Sequence, residues 1–238
     1  CVADTVTVPQ GTFWMGCNAA LDTQCGAEEH PYHQVYLDGY TIDLTEVTNA
    51  QYASFLTVLE KQGVGNDCTF DDEFQYCVDP WADTDSLWME LMDGIWSPVE
   101  GKDLHPAGEL TWYGARAYCE WAGKRLCTEA EFEKASRGGC EQYDDCAAES
   151  WPYPWGPAFG PYTEQYFINS NTACEGGPTL YGDSTCPVGS TEPGSPYGAY
   201  HLAGNAWEWA ADWIADDYYC NGPDATCTTG GACDDCAP

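Results

Sequence analysis

Apolar residues alternate along the first forty positions, fall on helical faces through the middle of the chain, and lose all period towards its end. Val6 and Val8, then Phe13 and Met15 within 11–16, predict two short strands around a turn. After a polar, cysteine-clipped stretch at 17–31, the alternation through 35–42 predicts another hairpin. Thr48 followed three residues later by Gln51 is a capping box, and Tyr52, Phe55, Leu56 and Leu59 share a helical face that Gly63 and Gly65 end. A second helix is predicted from Thr111, with a buried stripe of Trp112, Ala115, Tyr118, Cys119 and Ala122 and a left-handed cap at Gly123. A third starts at Thr128, with Glu131 closing the box, and stops at Gly138 and Gly139. Residues 66–104 are acidic and Trp-rich without a period, and read as an insertion held by Cys68 and Cys77. From 140 to 200 loops dominate. The apolar run 206–213 suits either a strand or irregular core, and no element is predicted after Tyr219.

Composition sharpens this picture. With 11 Trp and 16 Tyr the core is built from large rings, while 25 Gly and 15 Pro favour turns over long helices. The length of 238 residues and the absence of internal repeats suit one domain over 1–238 rather than a solenoid. Thirty-nine acidic residues against seven basic ones give a net charge of -32, which repels phosphate backbones and argues against nucleic acid or an anionic membrane surface as partner. Such a surface keeps a protein soluble, and some of its carboxylates could also hold divalent cations.

Fifteen cysteines read as the disulfide framework of a secreted, cell-surface or periplasmic protein. Neighbours suggest Cys17 with Cys25, Cys68 with Cys77, Cys140 with Cys146, Cys174 with Cys186 and Cys220 with Cys227. No apolar run approaches a membrane span, and the lack of a signal peptide reads as a mature form. Cys1 is a disulfide partner or the acylated cysteine of a lipid anchor. Cys233 and Cys236 form a CxxC whose flanking aspartates disfavour a thiolate, so a disulfide outweighs redox or zinc roles there. His30 and His33 are separated by Pro31, which forbids a helix bringing both to one metal. Glu129, Glu131 and Glu133 suit the helix dipole better than acid–base catalysis.

Several blocks occur in an order that resembles the formylglycine-generating-enzyme (sulfatase-modifying factor) family. They are Val8 to Gly16, Glu29 to Leu37, Thr45 to Tyr52, Trp112 to Glu133, Tyr153 to Gly156, Pro187 to Ser190 and Tyr197 to Trp209. The resemblance implies an α+β, disulfide-rich variant of the C-type-lectin fold with little regular secondary structure and with bound calcium. By the same resemblance the carbonyls of Gly204 and Ala206 and the carboxylate of Glu208 bind calcium, with His201 standing where relatives carry Asp or Asn. A second calcium site would map to Asn171, Thr172 and Asp183. Cys127 stands where the family has Pro, and its expected partner is Cys119. The family's copper-binding cysteine pair follows an Arg-Gly-Gly-Ser-Trp-like strand that these 238 residues do not reach. The reading that follows is a calcium-stabilised binding, structural or assembly module, which a homo-oligomer would suit. The alternatives are a copper-dependent oxidase fragment converting a substrate cysteine to formylglycine, and a lipid-anchored lectin-like receptor.

Overall fold

Segments 5–15 and 33–43 run antiparallel on one continuous register. β1 (Thr5–Val8) pairs with β4 (Tyr40–Asp43), Val8 opposite Tyr40, and β2 (Gly11–Met15) pairs with β3 (His33–Leu37), Gly11 opposite Leu37. The strands fall where the alternation placed them, but neither expected hairpin forms. Pro9, with its fixed negative φ, cannot enter a two-residue primed turn, and neither Asp38 nor Gly39 adopts the positive φ such a turn requires. The chain therefore runs nearly straight through both points and the two segments pair with each other. The break in the ladder is bridged from outside: the Lys134 ammonium, fully buried, donates to the carbonyls of Pro9 at 2.6 Å and Gly11 at 3.0 Å.

The computed structural model describes residues 4–21, 29–81, 87–149, 151–156, 185–213 and 233–234. Within them the three expected helices form behind the expected caps. In α1 (Asn49–Lys61) and α3 (Glu129–Arg137), Thr48 and Thr128 accept from the N3 backbone while Gln51 and Glu131 reach back to the cap. In α2 (Trp112–Trp121) Thr111 accepts from Gly114 N. Tyr52, Phe55 and Leu56 of α1 and Tyr118 of α2 are buried as their spacing requires, and the three rings meet at centroid distances of 5.4–5.8 Å. This aromatic cluster also takes in Cys68, Cys77, Val78 and Met89. A second cluster gathers Val8, Ala135, Ala199 and Leu202, and a third Phe13, Met15, Val35 and Leu37 of the ribbon.

The insertion is more ordered than its composition suggests. Residues 67–77 form a hairpin closed by the Cys68–Cys77 disulfide, turning at Asp71 and Asp72, both at positive φ. β5 (Met89–Met92) and β6 (Ile95–Pro98) form another, turning at Asp93 and Gly94 with φ of 52° and 76°. β6 is fastened to α1 through Thr57, whose hydroxyl accepts from Trp96 N and donates to Trp96 O. α4 (Cys146–Glu149) opens at the Cys140–Cys146 disulfide. Near the C-terminus β7 (Cys233–Asp234) lies parallel to β3.

Residues 206–213 are neither strand nor core. Trp207, Trp209 and Trp213 are exposed, because this segment is held by polar contacts rather than by burial. Trp209 Nε1 donates to Leu110 O, Ala210 O accepts from Trp112 Nε1, Ala211 N donates to Cys127 O, and Asp212 caps the first turn of α3 at Glu129 N. His30 is exposed, whereas His33 is buried in β3 with Nδ1 2.7 Å from Pro31 O, so the two share no site.

Candidate functional site

A cleft of about 390 Å³ opens between the β4 end of the ribbon, the 123–127 turn and the 206–213 segment. Glu46, Cys119, Lys124, Cys127, Glu131 and Glu208 are among the residues that line it. Glu208 lines the cleft and is exposed along it, with protein crowding its carboxyl from the cleft wall. That crowding, with the nearby Glu46 carboxylate, pushes its carboxyl well above the ordinary glutamate value.

Glu46 is the hub of the site. It lies three residues beyond the end of β4 and is buried, with its two oxygens bonded separately. Oε2 accepts from His201 Nδ1 at 2.8 Å and Oε1 accepts from Asn205 Nδ2 at 2.7 Å. Asn205 also grips Cys186 on both sides, accepting from its N–H at 2.7 Å and donating to its carbonyl at 3.2 Å. Both His201 and Asn205 sit at positive φ, 54° and 63°, which the short polar side chain of Asn tolerates well. The Asn205 conformation closes a three-residue turn in which Ala206 N donates to Gly204 O at 2.8 Å.

The expected calcium residues are thus partly brought together. Gly204 and Ala206 form the tight turn, and Glu208 follows it along the cleft that Glu46 also lines. The Gly204 carbonyl keeps a second lone pair, and with the Glu208 carboxylate it offers the hard oxygen donors calcium takes. His201 does not join them: its Nδ1 is committed to Glu46, and its buried Nε2 has no hydrogen-bond partner among the described residues. A nitrogen in that position does not replace an oxygen ligand. No group of three His, Cys, Asp or Glu among the described residues is placed to hold a metal, so a cation here would lean on carbonyls and water. Asn171, Thr172 and Asp183 lie outside the described residues. Glu46 and Asn205, absent from the sequence-based ligand set, both lie within the blocks that carry the family resemblance, and neither carries a further local signal.

Two cysteines depart from expectation. Cys119 and Cys127 are free thiols, not a disulfide. The backbone holds them apart in purpose: Cys119 O accepts from Lys124 N to close α2, while Cys127 O accepts from Ala211 N and is drawn to the C-terminal segment. Burial, then Asp43, pushes the Cys119 thiol up to about 11; burial, then Glu208 and Glu131, pushes Cys127 up to about 12. Both are therefore neutral thiols near pH 7 and poor nucleophiles. Two of the expected pairs form among the described residues. Cys68–Cys77 and Cys140–Cys146 are bonded as expected, and Cys17 and Cys186 are disulfide-bonded. Cys1, Cys25, Cys174, Cys220, Cys227 and Cys236 lie outside the described residues.

The rim of the cleft is set by charge. Arg125 forks onto both oxygens of Glu131 at 2.6 Å, and the same carboxylate accepts from Thr128 N. Burial alone would raise the Glu131 carboxyl, but these hydrogen bonds outweigh it and hold it below the ordinary value. A depressed folded pKa contributes stability that is complete above the unfolded value near 4.5 and lost as pH falls through the lower folded one. Arg125→Met is accordingly expected to cost about 1 kcal/mol near pH 7, modest because the arginine is 64% exposed and screened. Paired melting curves should show the gap to wild type closing as pH drops below 4.5; a gap that stays constant would dismiss the ion pair as its source.

A loop-rich α+β scaffold, capped helices over an aromatic core and a tight Gly-Asn-Ala turn carrying a glutamate beneath a cleft together define a formylglycine-generating-enzyme-type domain. The sulfatase-modifying factor enzyme 1-like domain matches residues 1–235, and the chain belongs to that family. It is 32% identical over 236 residues to the formylglycine-generating enzyme of Mus musculus, covering 87% of this chain and 58% of the mouse protein. The Streptomyces coelicolor enzyme of the same name is 33% identical over 244 residues, covering 92% and 71%. A Bos taurus protein named inactive C-alpha-formylglycine-generating enzyme 2 is 31% identical over 225 residues, covering 87% and 69%. The chain therefore spans little more than half of its mouse relative. Among solved structures, PvdO from Pseudomonas aeruginosa superposes with a TM-score of 0.56 at 22% identity, covering 91% of this chain and 73% of PvdO. CarF superposes at 0.52 with 18% identity, covering 90% and 81%. At these identities the structures speak for the fold.

Proposed function

We propose that this chain is a binding or assembly module on the sulfatase-modifying-factor scaffold, acting outside the cytoplasm, with calcium at the 204–208 turn. The observation that carries the calcium is geometric: two carboxylates, Glu46 and Glu208, line one cleft beside the Gly204–Ala206 turn. Glu208 and the carbonyls of Gly204 and Ala206 would hold the ion, and its role is structural: it neutralises the carboxylates and pins the start of the exposed tryptophan segment. The disulfides favour an oxidising, extracytoplasmic setting. No helix among the described residues is long and apolar enough to cross a membrane.

Relatives that carry the name formylglycine-generating enzyme raise the oxidase alternative, in which copper and oxygen convert a substrate cysteine. Calcium removal is the test of the module's metal. If the ion is present at about a hundred times its dissociation constant, EDTA should remove about 2.7 kcal/mol, or roughly 5–10 °C of melting temperature. Glu208→Gln should melt at the same temperature with and without EDTA. A wild-type melting curve indifferent to EDTA sinks the calcium, and formylglycine appearing in a cysteine peptide incubated with the copper-loaded chain sinks the binding reading.

A further inference from the structure

The disulfide-closed hairpin 67–77 has two unlike faces. Its pairing sets Asp67 opposite Tyr76 and Phe70 opposite Glu73, so Phe70 points one way and Phe74 and Tyr76 the other. The Phe70 face is spent inside the protein. Its ring packs on Trp112 and Tyr113 of α2 and carries the Arg116 guanidinium 4.3 Å from its centroid. The other face is bare. Phe74 is 54% exposed and Tyr76 38%, their rings 4.8 Å apart at 87°, and Trp81, 83% exposed, extends the row with its ring 6.0 Å from Tyr76 at 78°. Two large rings held in the open on a disulfide-stapled hairpin, extended by Trp81 just beyond it, form a built surface rather than scattered apolar side chains.

Its surroundings say what the surface takes. Between Lys61 and Lys102 the sequence holds ten acidic residues and no Lys, Arg or His. Asp71 and Asp72 stand exposed at the hairpin tip, and Asp79 orders the approach to Trp81 by accepting from its backbone N–H. Ring faces carry negative quadrupole charge, and carboxylates beside them add to it, so the complement is a cation. Consecutive rings stand nearly perpendicular and share no plane, which gives a sugar ring no flat platform but offers a compact cation more than one ring face. Arg116 over Phe70 is the same contact already made on the hairpin's inner face.

We propose that the Phe74, Tyr76 and Trp81 face is a docking surface for an arginine- or lysine-rich segment of a partner protein. It deepens the reading of the chain as a binding module, and rests on it, by naming the partner's chemistry. The step from charge to rings matters, because a chain of net charge -32 attracts any basic peptide weakly.

The test therefore holds charge fixed and changes the rings. Calorimetric titration of the full chain with a peptide of alternating arginine and glycine, at about 0.15 M salt, is compared with the double variants F74A/W81A and F74L/W81L. The leucine pair keeps apolar area and net charge and loses only the aromatic faces. Both variants should bind about tenfold more weakly than wild type, with unchanged melting temperatures, and a citrulline peptide should not bind wild type. Equal binding by wild type and the leucine pair would overturn the proposal in favour of bulk electrostatics, and absence of binding at this salt would also overturn it. Binding of a neutral cello-oligosaccharide that displaces the peptide would overturn it in favour of a glycan surface. Because the EDTA melting experiment reads the scaffold's ion and this titration reads the hairpin, either can fail without the other.

Discussion

Gly114→Ala is expected to destabilise the protein by about 3–4 kcal/mol, roughly 10 °C of melting temperature. α2 meets the end of the 67–77 hairpin at this residue with no room for a side chain. A Cβ on Gly114 would lie 1.9 Å from the carbonyl oxygen of Cys77, 2.7 Å from its carbon and 2.5 Å from the Tyr52 hydroxyl. Two of these are backbone atoms fixed by the Cys68–Cys77 disulfide, and the third donates to that same carbonyl, so none can swing aside. Relief requires α2 to lift, which opens the Tyr52, Phe55 and Tyr118 cluster beneath it. Gly123→Ala is the control. That glycine sits at a φ of 75° with open space around it, so alanine there meets only the backbone penalty of about 1 kcal/mol. Thermal melts of the two variants side by side separate steric closeness from backbone conformation. Equal losses would refute the close approach of α2 to Cys77.

What the sequence made legible here was local. All three helices begin at a threonine whose hydroxyl accepts from a backbone N–H three residues on, a signal contained within four positions. The pairing of 5–15 with 33–43 has no such local mark. Alternation identified the strands, but what decided their partners was the inability of Pro9, and the failure of Asp38 and Gly39, to make tight turns. The β5–β6 hairpin did carry its mark, Asp93 followed by Gly94 between apolar residues; the acidic, Trp-rich composition of the insertion obscured it.

The site divides the same way. Gly204, Ala206 and Glu208 are neighbours in the chain, so the resemblance could name them together. Their neighbour Glu46 could not be assigned to them from spacing, since its contact with Asn205 closes over 159 residues. His201, read as a stand-in for an oxygen ligand, turns out to serve Glu46 instead. Its imidazole belongs to the polar support of a buried carboxylate.

That support hangs on Asn205, and removing its side chain should be nearly as damaging as crowding Gly114. Asn205→Gly is expected to cost about 3 kcal/mol. Three hydrogen bonds go at once: those to the N–H and carbonyl of Cys186, and the one from Asn205 Nδ2 to Glu46 Oε1. Each leaves a partly buried group without its partner, at about 1 kcal/mol or more apiece, and the last leaves a buried carboxylate supported by His201 alone. Glycine is the right replacement because the backbone here needs a φ of 63°, which it adopts freely. Asn205→Ala loses the same bonds and adds about 1 kcal/mol for a Cβ in the left-handed region. The expected order is thus wild type, then glycine, then alanine, read by chemical denaturation. If glycine proves as stable as wild type, the side chain does not carry the link between Cys186 and Glu46, and the cleft floor must be held by the turn alone. If alanine and glycine are equal, the positive φ at 205 is not retained, and the Gly204–Ala206 turn is not fixed by it.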